Sequence, residues 1–306
     1  MNADKIQNQL LDPRADPGGD YLVRALAYGG LVRAVAVRST DVCATAREIH
    51  GLSPVTTAAL GRLLSGVLLL TPDLEKKDDS ITAIIRSDGP IESMTVVGQS
   101  VGRVRGSIRH PVVPGTLIRP GKLDVGQAVG RGQLTIVRDM GLKEPYVGQV
   151  DLVSGEIAED LTAYLSLSEQ IPSAIGLGVR MDQSGVTHAG GFLVQLLPDA
   201  GDEIAEHLES RVSGFPEVSY LMEEGFNPHQ ILDLLFGDPE IQYSDVTPCR
   251  YECPCNRKRM EQNLLTLGAA ELASLAEDPE GIQLECHFCE RRYRFTQNEV
   301  RGLISG

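Results

Sequence analysis

The 306-residue chain contains no tryptophan, and aromatic residues make up only 5% of it. Its core must therefore be built mainly from aliphatic side chains, within an apolar content of 42% that suffices for a sizeable interior. Positive charge is also scarce. Twenty-eight Lys and Arg stand against 42 Asp and Glu, giving a net charge of −14 and a pI of about 4.9. Nucleic acid is not the expected partner, because its binders present a basic face. No stretch of about 18 apolar residues occurs, so no membrane span or membrane partner is expected. The start, Met1-Asn2-Ala3-Asp4-Lys5, leads into no apolar signal region. The six cysteines are too few for a disulfide scaffold and fit a reducing cytoplasm better.

Catalytic signatures are missing as well. No H-E-x-x-H pairs the histidines, and no glycine-rich loop precedes Lys-Ser or Lys-Thr. Gly98-Gln99-Ser100-Val101-Gly102 fits G-x-S-x-G, but that nucleophile elbow needs a following helix. Arg103–Arg109 alternates like a strand, so the motif reads as a turn. No enzyme is expected.

What is there lies in the last fifty residues. Cys253-Pro254-Cys255 is followed, thirty residues on, by Cys286-His287-Phe288-Cys289. The second pair has zinc-knuckle spacing, and four thiolates can close a tetrahedral Zn²⁺ site with no open position. Both pairs are also near enough in sequence for local disulfides. Two chemical states follow: reduced with metal, or oxidised without it. Arg250, Arg257, Lys258, Arg259, Arg291 and Arg292 flank the pairs and are expected to favour thiolate. Spacing alone leaves open both a static zinc ribbon and a switch.

At this length two domains are the default. Residues 1–19 read as a polar, flexible lead. Tyr21–Ala27 and Leu31–Val37 form a hairpin about Gly29-Gly30. Helices follow over Thr40–His50, capped by Ser39 or Thr40, and from Ser53-Pro54 through Leu68, with Ser53 as cap. A meander comes next: Ser80–Ser87, Ile91–Gly98, Val101–Arg109, Asp124–Gly126, Gly132–Asp139 and Tyr146–Leu152. A helix through Ile157, Leu161, Tyr164 and Leu165 precedes a last hairpin, Ser173–Met181 with Thr187–Leu197. The pattern is α+β: one antiparallel sheet with helices segregated along the chain.

Residues 199–247 hold twelve acidic residues and one basic one, Arg211. Apolar residues still recur there at helical spacing, as Ile204, Leu208 and Val212, then Val218, Leu221 and Met222, then Ile231, Leu232 and Leu235. Breakers at Gly214, Pro216, Gly225, Pro228, Gly237 and Pro239 divide them. This is a linker of short helices whose apolar faces need a neighbour. Residues 248–306 offer helices over Arg257–Leu267 and Ala269–Ala276, a strand over Ile282–Cys286, a strand bearing Tyr293 and Phe295, and a Thr296/Glu299 capping box. So small a domain commonly needs a staple, and metal would supply it.

Cys253-Pro254-Cys255-Asn256-Arg257-Lys258-Arg259, Leu267-Gly268, Glu271-Leu272, Cys286-His287-Phe288-Cys289 and Tyr293-Arg294-Phe295 resemble the redox-switch domain of the 33 kDa chaperonin family. Glu144–Val150, Ser154–Asp160, Ser168–Pro172 and Gly190-Gly191-Phe192 are similar to its amino-terminal domain, in the same order and spacing. The resemblance implies a heat-shock holdase that works without ATP and responds to oxidative stress. It implies one Zn²⁺ per chain on Cys253, Cys255, Cys286 and Cys289 in the reduced, inactive protein. It further implies Cys253–Cys255 and Cys286–Cys289 disulfides and zinc release on oxidation. The implied domains are 1–198 for client binding and dimerisation, 199–247 as a metastable linker, and 248–306 as the switch. The implied partners are unfolding clients, ATP-dependent chaperones that receive them, and a second copy on activation.

Two residues depart from the family pattern. Glu252 stands where an apolar residue is commoner, and Cys249 is a fifth thiol placed to compete as a ligand or scramble a disulfide. Cys43 is expected to be a packing residue. The rival readings are a zinc-ribbon binding module and an enzyme in the amino-terminal domain.

Overall fold

A computed structural model describes residues 16–114, 117–119, 122–237, 240–244 and 246–305. Most of the expected polar lead and Pro239 lie outside these residues. The chain divides into two compact units, Met1–Tyr251 and Glu252–Gly306.

In chain order the first unit runs β1 (Tyr21–Ala27), β2 (Val32–Arg38), α1 (Thr40–His50), α2 (Pro54–Leu70), β3 (Ser80–Ser87), β4 (Ser93–Gln99), β5 (Arg103–Ile108), β6 (Leu117–Arg119), β7 (Lys122–Leu123), α3 (Val125–Val129), β8 (Gly132–Asp139), β9 (Tyr146–Asp151), α4 (Ala158–Leu167), β10 (Ser173–Asp182), β11 (Gly185–Leu196), α5 (Asp202–Ser213), α6 (Val218–Glu223), α7 (Pro228–Phe236), β12 (Gln242–Tyr243), β13 (Thr247–Pro248) and β14 (Arg250–Tyr251). The second holds α8 (Arg257–Leu265), α9 (Ala269–Leu275), β15 (Ile282–Glu285), β16 (Arg292–Phe295) and α10 (Gln297–Ser305).

The α+β class holds, but the single sheet does not. Among the described residues the first unit has two six-stranded sheets. One is ordered β10-β11-β2-β1-β12, with β13 also on β1; the other is β14-β5-β4-β3-β8-β9. The apolar helix α2 packs against strands of both. A helix buried on all sides allows two sheets to share one core, and α2 is buried along nearly its whole length. Sequence alternation gives each strand a buried face but cannot say which strands pair.

Local corrections follow the same logic. Asp124–Gly126 is not a strand: Asp124 accepts from the Gln127 amide (2.8 Å) and caps α3. Ser53 precedes α2, but its hydroxyl bonds the Val113 carbonyl (3.1 Å) rather than the helix end. Ser39 precedes α1, yet the amide of Val42 is met by Asp20 (2.8 Å). The serine of the G-x-S-x-G stretch lies in the β4–β5 turn and donates to the Lys76 carbonyl (2.8 Å).

The β1–β2 sheet is buried on both faces. Leu22, Val35, Val37 and Leu193 join the α2 core. Their alternate neighbours Val23, Ala25, Ala34, Ala36, Phe192 and Val194 form a second core with Leu208, Val218, Leu221, Met222, Ile231, Leu232, Leu235 and Phe236. The acidic segment therefore covers the far face of this sheet with α5, α6 and α7. Its apolar side chains each contribute on the order of 1.5–3 kcal/mol when fully buried, before the entropy of ordering is deducted. Arg211, its one basic residue, donates to the Leu234 and Leu235 carbonyls and so caps α7. The segment's end is held by strand pairing: Ala25↔Tyr243, Leu22↔Thr247, and the parallel pair Tyr251↔Val104.

Candidate metal centre

Each cysteine pair of the second unit is set by a short local structure. Cys253-Pro254-Cys255 runs into α8, whose amino end is capped by Asn256 accepting from the Arg259 amide (3.0 Å). Cys286-His287-Phe288-Cys289 forms the tip of the β15–β16 hairpin, paired from Ile282↔Phe295 to Glu285↔Arg292. The Cys289 and Glu290 amides both turn back onto the Cys286 carbonyl (3.2 and 2.7 Å), which aims both sulfurs to one side. Glu290 adopts φ 55°, the left-handed conformation this turn requires.

The fold brings all four expected residues together. The Sγ atoms of Cys253, Cys255, Cys286 and Cys289 lie within 4.8 Å of one another. The nearest contacts run between the pairs, Cys253 to Cys286 at 3.6 Å and Cys255 to Cys289 at 3.2 Å. Zn–S bonds of about 2.3 Å set tetrahedral sulfur separations of roughly 3.8 Å, so the donor set suits a closed four-sulfur site. His287 is exposed and is not in this group.

Electrostatics differ among the four. Burial opposes ionisation of Cys255, but the Tyr293 hydroxyl at 3.2 Å and the neighbouring thiols outweigh it and lower its pKa to about 7. Burial, with Cys255 and Cys286 beside it, pushes Cys289 up to about 11. Burial, reinforced by Cys286, also raises Cys253. Cys255 thus loses its proton readily, whereas Cys253 and Cys289 resist ionisation unless a cation enters the site. The flanking arginines contribute less than their number suggests. Arg257 pairs with Glu299 (2.6 Å) and Arg292 with Glu285 (2.8 Å). Arg291 bonds to Tyr293 and senses the Cys255 and Cys289 thiolates.

The rest of the small unit supplies few buried apolar side chains. Its core among the described residues has Met260, Leu264, Leu272, Ala276, Phe295 and Val300 as buried members besides Cys255 and Cys286. Thr296 and Glu299 form the expected reciprocal cap, the Thr296 amide reaching Glu299 at 2.8 Å. Tyr293 was legible only as a strand residue; its hydroxyl on Cys255 follows from the hairpin register.

The two remaining thiols lie elsewhere. Cys43 is 1% exposed, packs on Gly61, and burial pushes its pKa up to about 12. Cys249 is buried between β13 and β14, donates to the Thr247 carbonyl (3.6 Å), and is likewise raised by burial. It is outside the four-sulfur group. Among the described residues one helical stretch, Pro54–Asp73, is long and apolar enough to cross a bilayer, and 89% of its window lies inside the fold.

Comparison with known proteins agrees along the chain. The family model described as Hsp33 protein matches residues 20–296. The 33 kDa chaperonin of Ruminiclostridium cellulolyticum is 44% identical over 286 residues, covering 94% of this chain and 98% of its own. That of Bacillus subtilis is 42% identical, covering 93% and 98%. The crystal structure of the 33 kDa chaperonin of Thermotoga maritima superposes with a TM-score of 0.85 at 37% identity, over 94% of this chain and 98% of its own.

Proposed function

The chain belongs to the Hsp33 family, a family of chaperones and not of catalysts, and from that premise we propose that it is a redox-regulated holdase that binds unfolding proteins without ATP. The observation that carries the reading is the four-sulfur cluster within 4.8 Å, in a unit whose own apolar core is small. In the reduced protein Cys253, Cys255, Cys286 and Cys289 would hold one Zn²⁺, which supplies a cross-link between the two ends of the unit and hence folding energy.

Oxidation is a two-electron step for each pair. Two thiolates give up two electrons to a peroxide, one S–S bond forms, and with two protons from solvent the peroxide leaves as two waters. The Cys253–Cys255 and Cys286–Cys289 pairings use residues close in sequence, so neither needs the rest of the unit to stay folded. Four consumed sulfurs no longer serve as ligands. The unit 252–306 then loses its staple, and the acidic segment, continuous with it through Tyr251, becomes the metastable linker. Its folded state already works against the repulsion of twelve carboxylates. Release would uncover the Val23, Ala25, Ala34, Ala36, Phe192 and Val194 face of the sheet, together with the linker's own apolar residues. In this scheme 1–198 binds clients and dimerises, 199–247 is the linker, and 248–306 is the switch. ATP-driven chaperones in the cytoplasm receive the clients.

The deciding experiment follows zinc release and suppression of client aggregation together during peroxide treatment with mild heat. Both should rise in step, and both should reverse with reductant and zinc. Zinc release without a gain in holding activity would sink the reading.

A further inference from the structure

Where the end of α2, the β4–β5 turn and β13 come together, the first unit holds a cleft of about 660 Å³. Sites for small molecules commonly span about 300–1,000 Å³. Its buried apolar lining is Leu22 of β1 and Leu74, and its exposed lining includes Arg24, Glu75 and Lys77.

Each wall is fixed by local structure. Arg24 stands two residues along β1 from Leu22, so both side chains leave the same face of the strand. Lys77 lies on a loop wrapped around Asp79, which is 2% exposed. The Asp79 carboxylate accepts from the Glu75 and Lys76 amides (3.2 and 2.9 Å). The Ser100 hydroxyl donates to the Lys76 carbonyl (2.8 Å) and so ties this loop to the β4–β5 turn. On the remaining side, Thr247 of β13 stands opposite Leu22 in the sheet. A Cβ on Gly102 would run into the Pro248 carbonyl, which shows how near the turn comes to β13.

The lining selects its ligand. The chain carries a net charge of −14, yet among the described residues no carboxylate bonds the Arg24 or Lys77 side chain. Asp73, beside the cleft lining, is taken by Arg33 (2.7 Å), and Asp79 by its loop amides. Arginine offers a planar fork and lysine a point charge, the two usual partners of phosphate oxygens. Two cations suit the charge of nearly −2 on a phosphate monoester at pH 7 better than the single charge of a carboxylate. Glu75 opposes a second anionic group and, as an acceptor, favours a ligand bearing hydroxyls. Ser100 has already donated its hydroxyl proton, so it too is left to accept.

We propose that this cleft binds a small hydroxylated organic phosphate, with its phosphate on Arg24 and Lys77 and its hydroxyls on Glu75 and Ser100, and that the bound molecule clamps β13 against β1. The clamp follows from where the contacts lie. β13 is a two-residue strand at the end of the acidic segment, and its Thr247 lines the cleft that Arg24 of β1 enters. A ligand that fits only the paired arrangement stabilises it by a factor of one plus its concentration over Kd. The site needs neither cysteine nor client, so it stands apart from the function proposed above.

The test uses the full-length, reduced, zinc-loaded protein and ribose 5-phosphate as probe, with sodium chloride holding ionic strength constant. Calorimetry should show saturable binding of one probe per chain. Ribose should not bind, and inorganic phosphate should bind about tenfold more weakly, for want of hydroxyl contacts. Arg24→Gln and Lys77→Gln, both at exposed positions, should each weaken binding by about tenfold or more. Glu75→Gln should remove the preference for ribose 5-phosphate over inorganic phosphate. The amides of Cys249 and Arg250 donate to the Asp20 and Gly102 carbonyls (2.8 and 2.9 Å). Their exchange should slow about tenfold when the probe stands at ten times its Kd. No saturable binding up to about 10 mM, equal binding of ribose, or binding indifferent to both cation substitutions overturns the site. A preference that survives Glu75→Gln overturns the hydroxyl assignment, and binding with unchanged exchange at those two amides overturns the clamp. Should either cation variant misfold, the ribose and inorganic phosphate arms on wild type decide.

Discussion

Gly178 of β10 and Gly190 of β11 stand directly opposite each other in the sheet, and α6 lies across them. A Cβ on Gly190 would run into the Met222 side chain and the Val37 carbonyl, and one on Gly178 would come within 2.7 Å of the Ser219 amide. Neither glycine is needed for a left-handed turn. Gly178 is needed because the backbone of α6 comes so near the strand, and Gly190 because the Met222 side chain of α6 fills the space a Cβ would take. A six-residue helix has little stability of its own, so its seat on the sheet is what keeps it helical.

Gly190→Ala should therefore unseat α6. Overpacking at such a site costs about 1–3 kcal/mol. The expected outcome is raised amide exchange over residues 202–243 in the reduced, metal-loaded protein, and holding activity without oxidant. Adding Met222→Ala should restore part of the protection, because the two changes share one contact. Unchanged exchange in Gly190→Ala would show that the glycine pair does not set the seat.

Asp20→Asn should change how stability varies with pH. Burial raises the Asp20 pKa from 3.8 to about 6, against the bonds it accepts from the Val42 and Asp41 amides. A carboxyl raised on folding favours the folded state at low pH, and that advantage is lost as pH climbs from about 4 through 6. The variant should gain on wild type by up to about 3 kcal/mol across that window, read from urea midpoints at matched pH. A difference that stays flat with pH would show that Asp20 does not titrate this way.

The reduced protein should carry one zinc bound by four sulfurs, as judged by metal content and zinc-edge absorption. Cys43→Ser and Cys249→Ser should both leave that stoichiometry intact, since each thiol is buried and neither is a member of the four-sulfur group. Loss of zinc in Cys249→Ser alone, or a nitrogen ligand from His287, would show the ligand set to be wrong.

A chain ending at Leu197 should fold, because α2 and both sheets retain most of their strands. It should also hold clients with no oxidant present, since the Val23, Ala34 and Phe192 face has lost its cover. In the full-length protein, oxidation should raise exchange over 199–247 as well as 248–306 while β1–β11 stay protected. Exchange confined to the four-cysteine unit, with activity still switched on, would make the acidic segment a passive tether.

Most element positions were legible from alternation and capping signals. Tyr21–Ala27, Thr40–His50 and Ser80–Ser87 agree residue for residue with the fold. The four clustered cysteines were legible because their spacing is a property of local turns. Pairing over long distances was not. Nothing in Gln242–Tyr243 or Arg250–Tyr251 announces which strand it joins, and the parallel pairing of β14 with β5 depends on the path of the intervening chain. Caps were misread where a distant group does the work, as Asp20 does for α1. Charge was misread for a related reason. Arg257 and Arg292 flank cysteines in sequence but meet Glu299 and Glu285 in space.

The face of the β1–β2 hairpin beneath the acidic segment is floored largely by methyl groups, from Ala25, Ala27, Ala34 and Ala36. Such a floor has no deep sockets and dictates no particular outline. What lies on it is held by extent of contact and by the spacing of its apolar residues, not by a key-in-lock match. The covering sequence is thus free to drift, one aliphatic residue for another, without losing its place. The same shallowness means that over this hairpin, unlike α6 over Gly178 and Gly190, no single side chain dominates the hold, so the part lying on it is expected to peel away in stages.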